Sequence, residues 1–312
     1  MEITAKEVAK LRDITGVGMM ACKKALVECN SDIDAACEYL RKQGLAVVAK
    51  KASRIAAEGA ARAYISEDKH TGALVEVNCE TDFVAKSDVF VELCQDVAKA
   101  AVDNNIDDVE KLKSVKTAKG TVDELITAAT TKTGEKISLR RVALQTNKDG
   151  IEEAYIHMGG KMGTLVELKT EGVTAANLGD VVAVAHDIAM HIAAFQPPYV
   201  RKEEVPQADV DHERAIIKEQ LLNDEKNKKK PEQVLEKIAE NKIGKFFEEN
   251  CLLYQAFVKD PSVTVEAQLA AVAKKTGTKL EIVRFSKFVM GEGIEKRADN
   301  LAEEVGKLSG KQ

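Results

Sequence analysis

Tryptophan is absent from this chain, and aromatic residues make up only 4% of its 312 positions. So thin a supply of large core residues, beside a charged fraction of 31%, suits a helix-rich protein with much surface better than a compact enzyme. Metal-ligand spacing is missing too. The six cysteines (22, 29, 37, 79, 94, 251) form no CxxC or related pattern, so neither zinc nor a disulfide framework is expected. Of the five histidines, His186 and His191 stand five apart and so share a helix face poorly. No metal and no cofactor is expected. The net charge of −5 supplies no overall basic field, which argues against a direct nucleic-acid partner. No leading apolar run and no uninterrupted apolar stretch long enough to span a bilayer is present, so a soluble, cytoplasmic protein without a membrane partner is expected.

What the chain does have centres on Asn78-Cys79-Glu80-Thr81-Asp82-Phe83-Val84-Ala85-Lys86. Before it, Gly72 to Val77 reads as a strand, its β-branched and apolar residues surrounding one carboxylate. After it, Ser87 or Asp88 caps an amphipathic helix. Thr81, Asp82, Phe83 and Val84 therefore sit at a strand-to-helix turn. Burying a phenylalanine contributes roughly 1.5–3 kcal/mol, so Phe83 and Val84 belong either under the turn as core or in a partner's cleft.

An internal repeat helps to choose. Ala63-Tyr64-Ile65 recurs as Ala154-Tyr155-Ile156, an offset of 91 that also carries Gly72, Leu74, Val75 and Glu76 onto Gly163, Leu165, Val166 and Glu167. Under it Thr81-Asp82-Phe83-Val84 falls on Gly172-Val173-Thr174-Ala175. Strand and helix are common to both copies, but the Asp-Phe tip belongs to the first alone. A residue needed merely to close the turn should have a counterpart, so the repeat favours a functional tip.

Along the chain, Thr4 and Glu7 form a capping box. A first helix ends at Gly16-Val17-Gly18, a second starts at Met19, and a third runs from Ile33 to Gln43 and stops at Gly44. Three short helices have little volume for a catalytic pocket and suit binding. Met19 and Met20 fit either core or an adaptable contact surface. Ala46 to Ala57 reads as a helical linker. The first repeat closes with a strand over Ile137–Leu144. In the second, Thr121-Val122 and Lys132-Thr133-Gly134 recur as Thr264-Val265 and Lys275-Thr276-Gly277, now 143 positions on. A net insertion of 52 residues therefore lies between Ile192 and Thr264, and its broken helical periodicity reads as a projecting antiparallel hairpin. An apolar seam on such a hairpin suits a second subunit, and Lys228-Lys229-Lys230 reads as its solvated tip. A last amphipathic helix follows Met290-Gly291-Glu292-Gly293. The expected fold class is α+β: a bundle over 1–54, one α/β unit over 55–147, its repeat over 148–198 and 250–290, the inserted hairpin over 199–249 and a C-terminal helical module over 291–312.

Three ordered stretches resemble the signatures of bacterial translation elongation factor Ts, the guanine-nucleotide exchange factor of elongation factor Tu. They are Glu2 to Ala5 with Leu11-Arg12, Thr15 to Met20 and Cys22 to Leu26, then Glu76 to Ala85, then Gly291 to Lys296. The resemblance runs end to end. It implies a bundle of the UBA-like kind that contacts the GTPase through Arg12, Met19 and Met20, and a loop of Thr81, Asp82, Phe83 and Val84 that displaces the partner's Mg²⁺. It also implies a GTPase contact at His157, a dimerising coiled-coil hairpin in a two-plus-two complex, a C-terminal helix that binds the GTPase, and no covalent chemistry. Two other functions compete on residues alone. One is an enzyme built on Cys79, for which no spacing sets a base beside the thiol. The other is a dimeric adaptor module with no exchange activity.

Overall fold

The computed structural model describes residues 3–15, 17, 19–224 and 230–295. Helices α1 (Ala5–Thr15), α2 (Met19–Glu28) and α3 (Ile33–Lys51) pack around Leu11, Cys22, Ala25, Leu26 and Ala36. The first copy of the repeat follows as β1 (Glu58–Ile65), β2 (Thr71–Cys79), α4 (Asp82–Ala85), α5 (Asp88–Asn104), α6 (Val109–Lys113), β3 (Lys116–Thr117), β4 (Gly120–Thr121), α7 (Val122–Thr133) and β5 (Ser138–Thr146). The second contains β6 (Gly150–His157), β7 (Met162–Glu171) and α8 (Leu178–Phe195). After the inserted α9 (Gln207–Asn223) and α10 (Glu232–Asn250) it resumes with β8 (Ala256–Phe257), β9 (Asp260–Thr264), α11 (Val265–Thr276) and β10 (Lys279–Val289). Helices and antiparallel sheets thus coexist as an α+β chain. Lys228, Lys229 and the amphipathic stretch beyond Glu295 lie outside the described residues.

Local chemistry accounts for the helix ends. The Thr4 N–H donates to Glu7 Oε2 at 2.8 Å and the Glu7 N–H donates to Thr4 Oγ1 at 3.3 Å, closing the capping box before α1. Thr121 and Glu124 close another before α7. That helix ends on Gly134 at φ +74°, and α11 ends on Gly277 at φ +70°, so the repeat-related glycines terminate both by left-handed caps.

Gly44 behaves otherwise. The sequence reading ends the third helix there, but α3 continues to Lys51. A Cβ at Gly44 would stand 3.0 Å from Thr127 Cγ2 and 3.2 Å from Thr131 Oγ1 on α7. The glycine lets two helices approach, which offsets its cost of about 1 kcal/mol inside a helix. Only the first part of the expected helical linker is therefore helical. Beyond Lys51 the chain turns, and Ala56 and Ala57 are buried.

Each three-stranded sheet carries its helices on one face. The sheet ordered β1-β2-β5 packs Val75 and Val77 against Phe90, Leu93 and Val97 of α5. The sheet ordered β10-β7-β6 packs Val166 and Leu168 against Val181, Ile188 and Ile192 of α8. By length and composition α8 could cross a membrane. It is instead the core helix of its sheet, and Asp180 and Asp187 on it pair with Lys275 and Lys259.

The other faces meet across Ala61, Leu74 and Leu165. Here the repeat becomes a pseudo-symmetric contact. A Cβ on Gly72 would stand 2.7 Å from Leu165 Cδ1, and one on Gly163 would stand 2.7 Å from Leu74 Cδ1. Each glycine admits the other copy's leucine. Gly163→Ala should therefore lower stability by about 1–3 kcal/mol through overpacking. That would appear as an earlier urea midpoint at unchanged slope, and an unmoved midpoint would mean that the sheets yield freely. Buried carboxylates repeat as well. Glu76 pairs with Arg140 at 3.0 Å and with Arg141 on β5, and Glu167 pairs with Arg284 on β10 at 2.6 Å. Burial would raise the Glu76 carboxyl, but the Gly291 N–H and the two arginines hold it below its usual range.

The hairpin buries Val210, Ile217 and Leu221 of α9 with Ala239 and Ile243 of α10. Leu222 and Val234 near its far end stay 68% and 43% exposed.

Candidate partner-binding site

Strand β2 delivers the chain to Glu80 and Thr81. There Thr81 leaves the strand as the N-cap of α4, its hydroxyl accepting the Val84 N–H at 3.4 Å. Ser87 caps α5 in the same way, so the tip is one helical turn held between two caps. Ala85 is buried, and Val84 packs partly into the first core. The Phe83 ring is 82% exposed. Val84 therefore anchors the tip, while Phe83 takes no part in the core.

Asp82 opens α4, where the positive end of the turn favours a carboxylate. Lys86 donates to it at 2.6 Å and holds the carboxyl below its usual range, and Lys161 adds to the pull. Lys161 belongs to the β6–β7 connection, which also packs on β1, its ammonium 2.7 Å from Glu58. In that connection Met158 is 73% exposed at φ +45°, and Gly160 is buried where a Cβ would meet the Ala60 Cβ at 2.6 Å. The fold thus sets the Met158–Lys161 loop beside the Asp82-Phe83 tip.

His157 ends β6 exposed, its Nδ1 3.1 Å from the Tyr155 hydroxyl. Arg12 is exposed on α1, and Met19 and Met20 are 47% and 79% exposed at the start of α2. The two methionines are therefore surface rather than core. They stand on the bundle, apart in sequence and in element from the tip. Cys79 is unsuited to nucleophilic work, since burial pushes its thiol up to about 12.

The sequence profile of the elongation factor TS family matches residues 80–292. Elongation factor Ts of Clostridium botulinum (strain Alaska E43 / Type E3) is 43% identical over 310 residues, covering 99% of this chain and 100% of that protein. The chain belongs to the elongation factor Ts family. The factor Ts of Symbiobacterium thermophilum is 44% identical over 310 residues, 99% of each chain, and that of Clostridium tetani 42% over 308, covering 98% and 99%. The protein is thereby placed among the elongation factors of protein biosynthesis.

Sequence reasoning missed Glu135 and Lys136. Glu135 Oε2 accepts the N–H groups of Glu80 at 3.1 Å and Thr81 at 3.0 Å, and its Oε1 accepts the Thr81 hydroxyl at 2.6 Å. In return the Lys136 N–H donates to Glu80 Oε1 at 2.6 Å. A partner more than fifty residues away leaves no local signal. The repeat did contain one, because the counterpart of Glu135 at the offset of 143 is Thr278.

Proposed function

We propose that this chain is a guanine-nucleotide exchange factor for elongation factor Tu in translation elongation, acting in the cytoplasm without covalent chemistry of its own. Family membership supports the reading, and the observation that carries it is the bare Phe83 ring on a doubly capped, anchored turn. A GTPase holds a diphosphate through backbone N–H groups, a lysine and Mg²⁺. Mg²⁺ demands near-ideal octahedral ligation, so a wedge that shifts its surroundings by about an ångström loosens the phosphates. Phe83 enters the partner between elements near the nucleotide. Asp82 accompanies it, and Thr81 and Val84 hold both in place. Burial of the ring, roughly 1.5–3 kcal/mol, offsets part of the partner's distortion.

Arg12, Met19 and Met20 on the UBA-like bundle grip the GTPase separately, and His157 adds a contact from the second α/β unit. The 199–249 hairpin, with Leu222 and Val234 exposed near its end, dimerises the factor within a two-plus-two complex. The C-terminal module over 291–312 binds the GTPase as well. No direct nucleic-acid or membrane contact is part of the mechanism.

The test is stopped-flow release of a fluorescent GDP analogue from elongation factor Tu, with and without the chain. Release should accelerate, and linkage fixes a second result. Whatever factor the chain takes from nucleotide affinity, nucleotide must take from the chain's affinity for the GTPase. Titrating the complex with GDP should therefore dissociate it by the factor measured in the release equilibrium. Binding without acceleration would leave the dimeric adaptor as the function.

A further inference from the structure

Resting on the exchange reading above, we propose that Glu135 is the positioning residue of the Asp82-Phe83 tip, fixing from the α7–β5 connection the direction in which Phe83 is presented to the partner. Three groups in a row at the base of the tip, the N–H of Glu80, the N–H of Thr81 and the Thr81 hydroxyl, donate to its two carboxylate oxygens. Hydrogen bonds to an ionised acceptor are roughly twice as strong as neutral ones. Thr81 is also the cap of α4, so the residue that starts the helical turn is the one Glu135 holds. The reverse contact, Lys136 N–H to Glu80 Oε1, makes the grip mutual. Its surroundings tie in the bundle's tether as well. The Lys136 ammonium donates to the carbonyls of Ala52 at 2.7 Å and Arg54 at 2.9 Å, and the Arg54 guanidinium reaches Glu80 at 3.3 Å.

The second copy shows what the same place needs when there is no tip to hold. Gly172 stands where the first copy has Thr81, at φ +81°, and a Cβ on it would be 3.4 Å from the Gly277 carbonyl oxygen. The turn is stitched instead by Asn177, whose amide donates to the carbonyls of Gly172 and Thr276 at 3.2 Å each. Thr278, the counterpart of Glu135, has its hydroxyl 2.7 Å from the Thr276 hydroxyl and donates its N–H to the Ala273 carbonyl at 3.0 Å, so its side chain stays within its own turn. Closing this corner of the fold therefore requires no carboxylate. The carboxylate and the Asp-Phe tip occur together in the copy that has a partner to wedge, and both are missing from the copy that does not.

A wedge acts only in the direction it points. A loosened tip still lets the chain bind through the bundle but spends part of its time misdirected, so saturating exchange slows while half-saturation holds. The experiment is stopped-flow GDP release from elongation factor Tu over a concentration series of the full chain, comparing wild type, Glu135→Ala, Glu135→Gln, Phe83→Ala and Phe83→Ala/Glu135→Ala. Glu135→Ala should lower the saturating rate about tenfold with half-saturation within about twofold. Glu135→Gln, whose amide oxygen can still accept the two N–H groups while its NH₂ meets the Thr81 hydroxyl only if that hydroxyl turns to accept, should recover part of the loss. If Glu135 works through the ring, the double variant is no slower than Phe83→Ala alone. Should Glu135→Ala fail to fold, Glu135→Asp, one methylene short of the clamp, replaces it in both comparisons. A full saturating rate in Glu135→Ala beside a slow Phe83→Ala overturns the positioning role and leaves the wedge intact. So does an additive double variant, which would make Glu135 a residue of general stability. A fast Phe83→Ala removes the wedge itself, and the fault then lies with the exchange mechanism rather than with Glu135.

Discussion

Phe83→Ala should slow saturating GDP release from elongation factor Tu by roughly thirtyfold, since truncating a central hot-spot residue costs about 2 kcal/mol or more. The chain's own stability should hardly change. A ring that is 82% exposed contributes little to the fold it leaves, and surface substitutions usually stay within about 0.5 kcal/mol. This separation of effects makes the result informative. A drop in rate accompanied by an unmoved melting temperature locates the force in the ring. If the variant accelerates release as well as the wild type does, the work passes to the bundle surface around Met20 and to His157 beside Met158. If the melting temperature falls along with the rate, the ring packs in solution against a surface of its own chain. Asp82 provides a graded control, because Lys86 and Lys161 keep it ionised near neutrality, so Asp82→Asn removes charge but little volume.

The tip was legible for a particular reason. Alone, Thr81-Asp82-Phe83-Val84 reads equally as core or as contact. The second copy, which keeps the strand and helix but puts Gly172 to Ala175 in that place, separates what the fold needs from what it does not. Structure divides the four residues more finely: Thr81 caps, Val84 anchors and Phe83 is bare. Gly44 shows the opposite case. Without sight of Thr127 and Thr131 on α7, a glycine late in a helical run reads as a stop, and only the distance between two helices reveals it as a point of contact. Glu135 was hidden in the same way, since a side chain gripping backbone N–H groups 54 and 55 positions earlier leaves no periodicity. Pattern encodes elements and their termini. Contacts between distant elements show in a single sequence only where an internal copy supplies a comparison.

Glu152→Gln should make the chain more stable with rising pH relative to wild type, by about 1.4 kcal/mol for each pH unit between about 5 and 8. Glu152 lies on β6 fully buried where the two sheets meet, its Cβ close to Gly72 and its offset counterpart the small Ala61. The Gln145 amide, with its nitrogen turned toward the carboxyl, donates to Oε2 at 3.0 Å and links it to Ser286 on β10, while Oε1 has no partner among the described residues. Burial pushes the carboxyl up to about 9, the charge of Glu167 pushes the same way, and Arg284 pulls back. A glutamate that titrates near 4.5 when unfolded and near 9 when folded binds its proton more tightly in the native state. Its contribution is thus fully present below the unfolded value and is lost as pH climbs toward the folded one. The glutamine keeps the shape and the hydrogen-bonding capacity but has no proton to lose. Across three pH units the stability difference between variant and wild type should therefore widen by about 4 kcal/mol in favour of the glutamine, as read from urea midpoints at pH 5, 6.5 and 8. Parallel curves would mean that the carboxyl is ionised in the fold, with Arg284 shared between Glu152 and Glu167. In that event the weakness of the sheet–sheet contact would be acid rather than alkaline, because a carboxylate stabilised there must take up a proton before the sheets part.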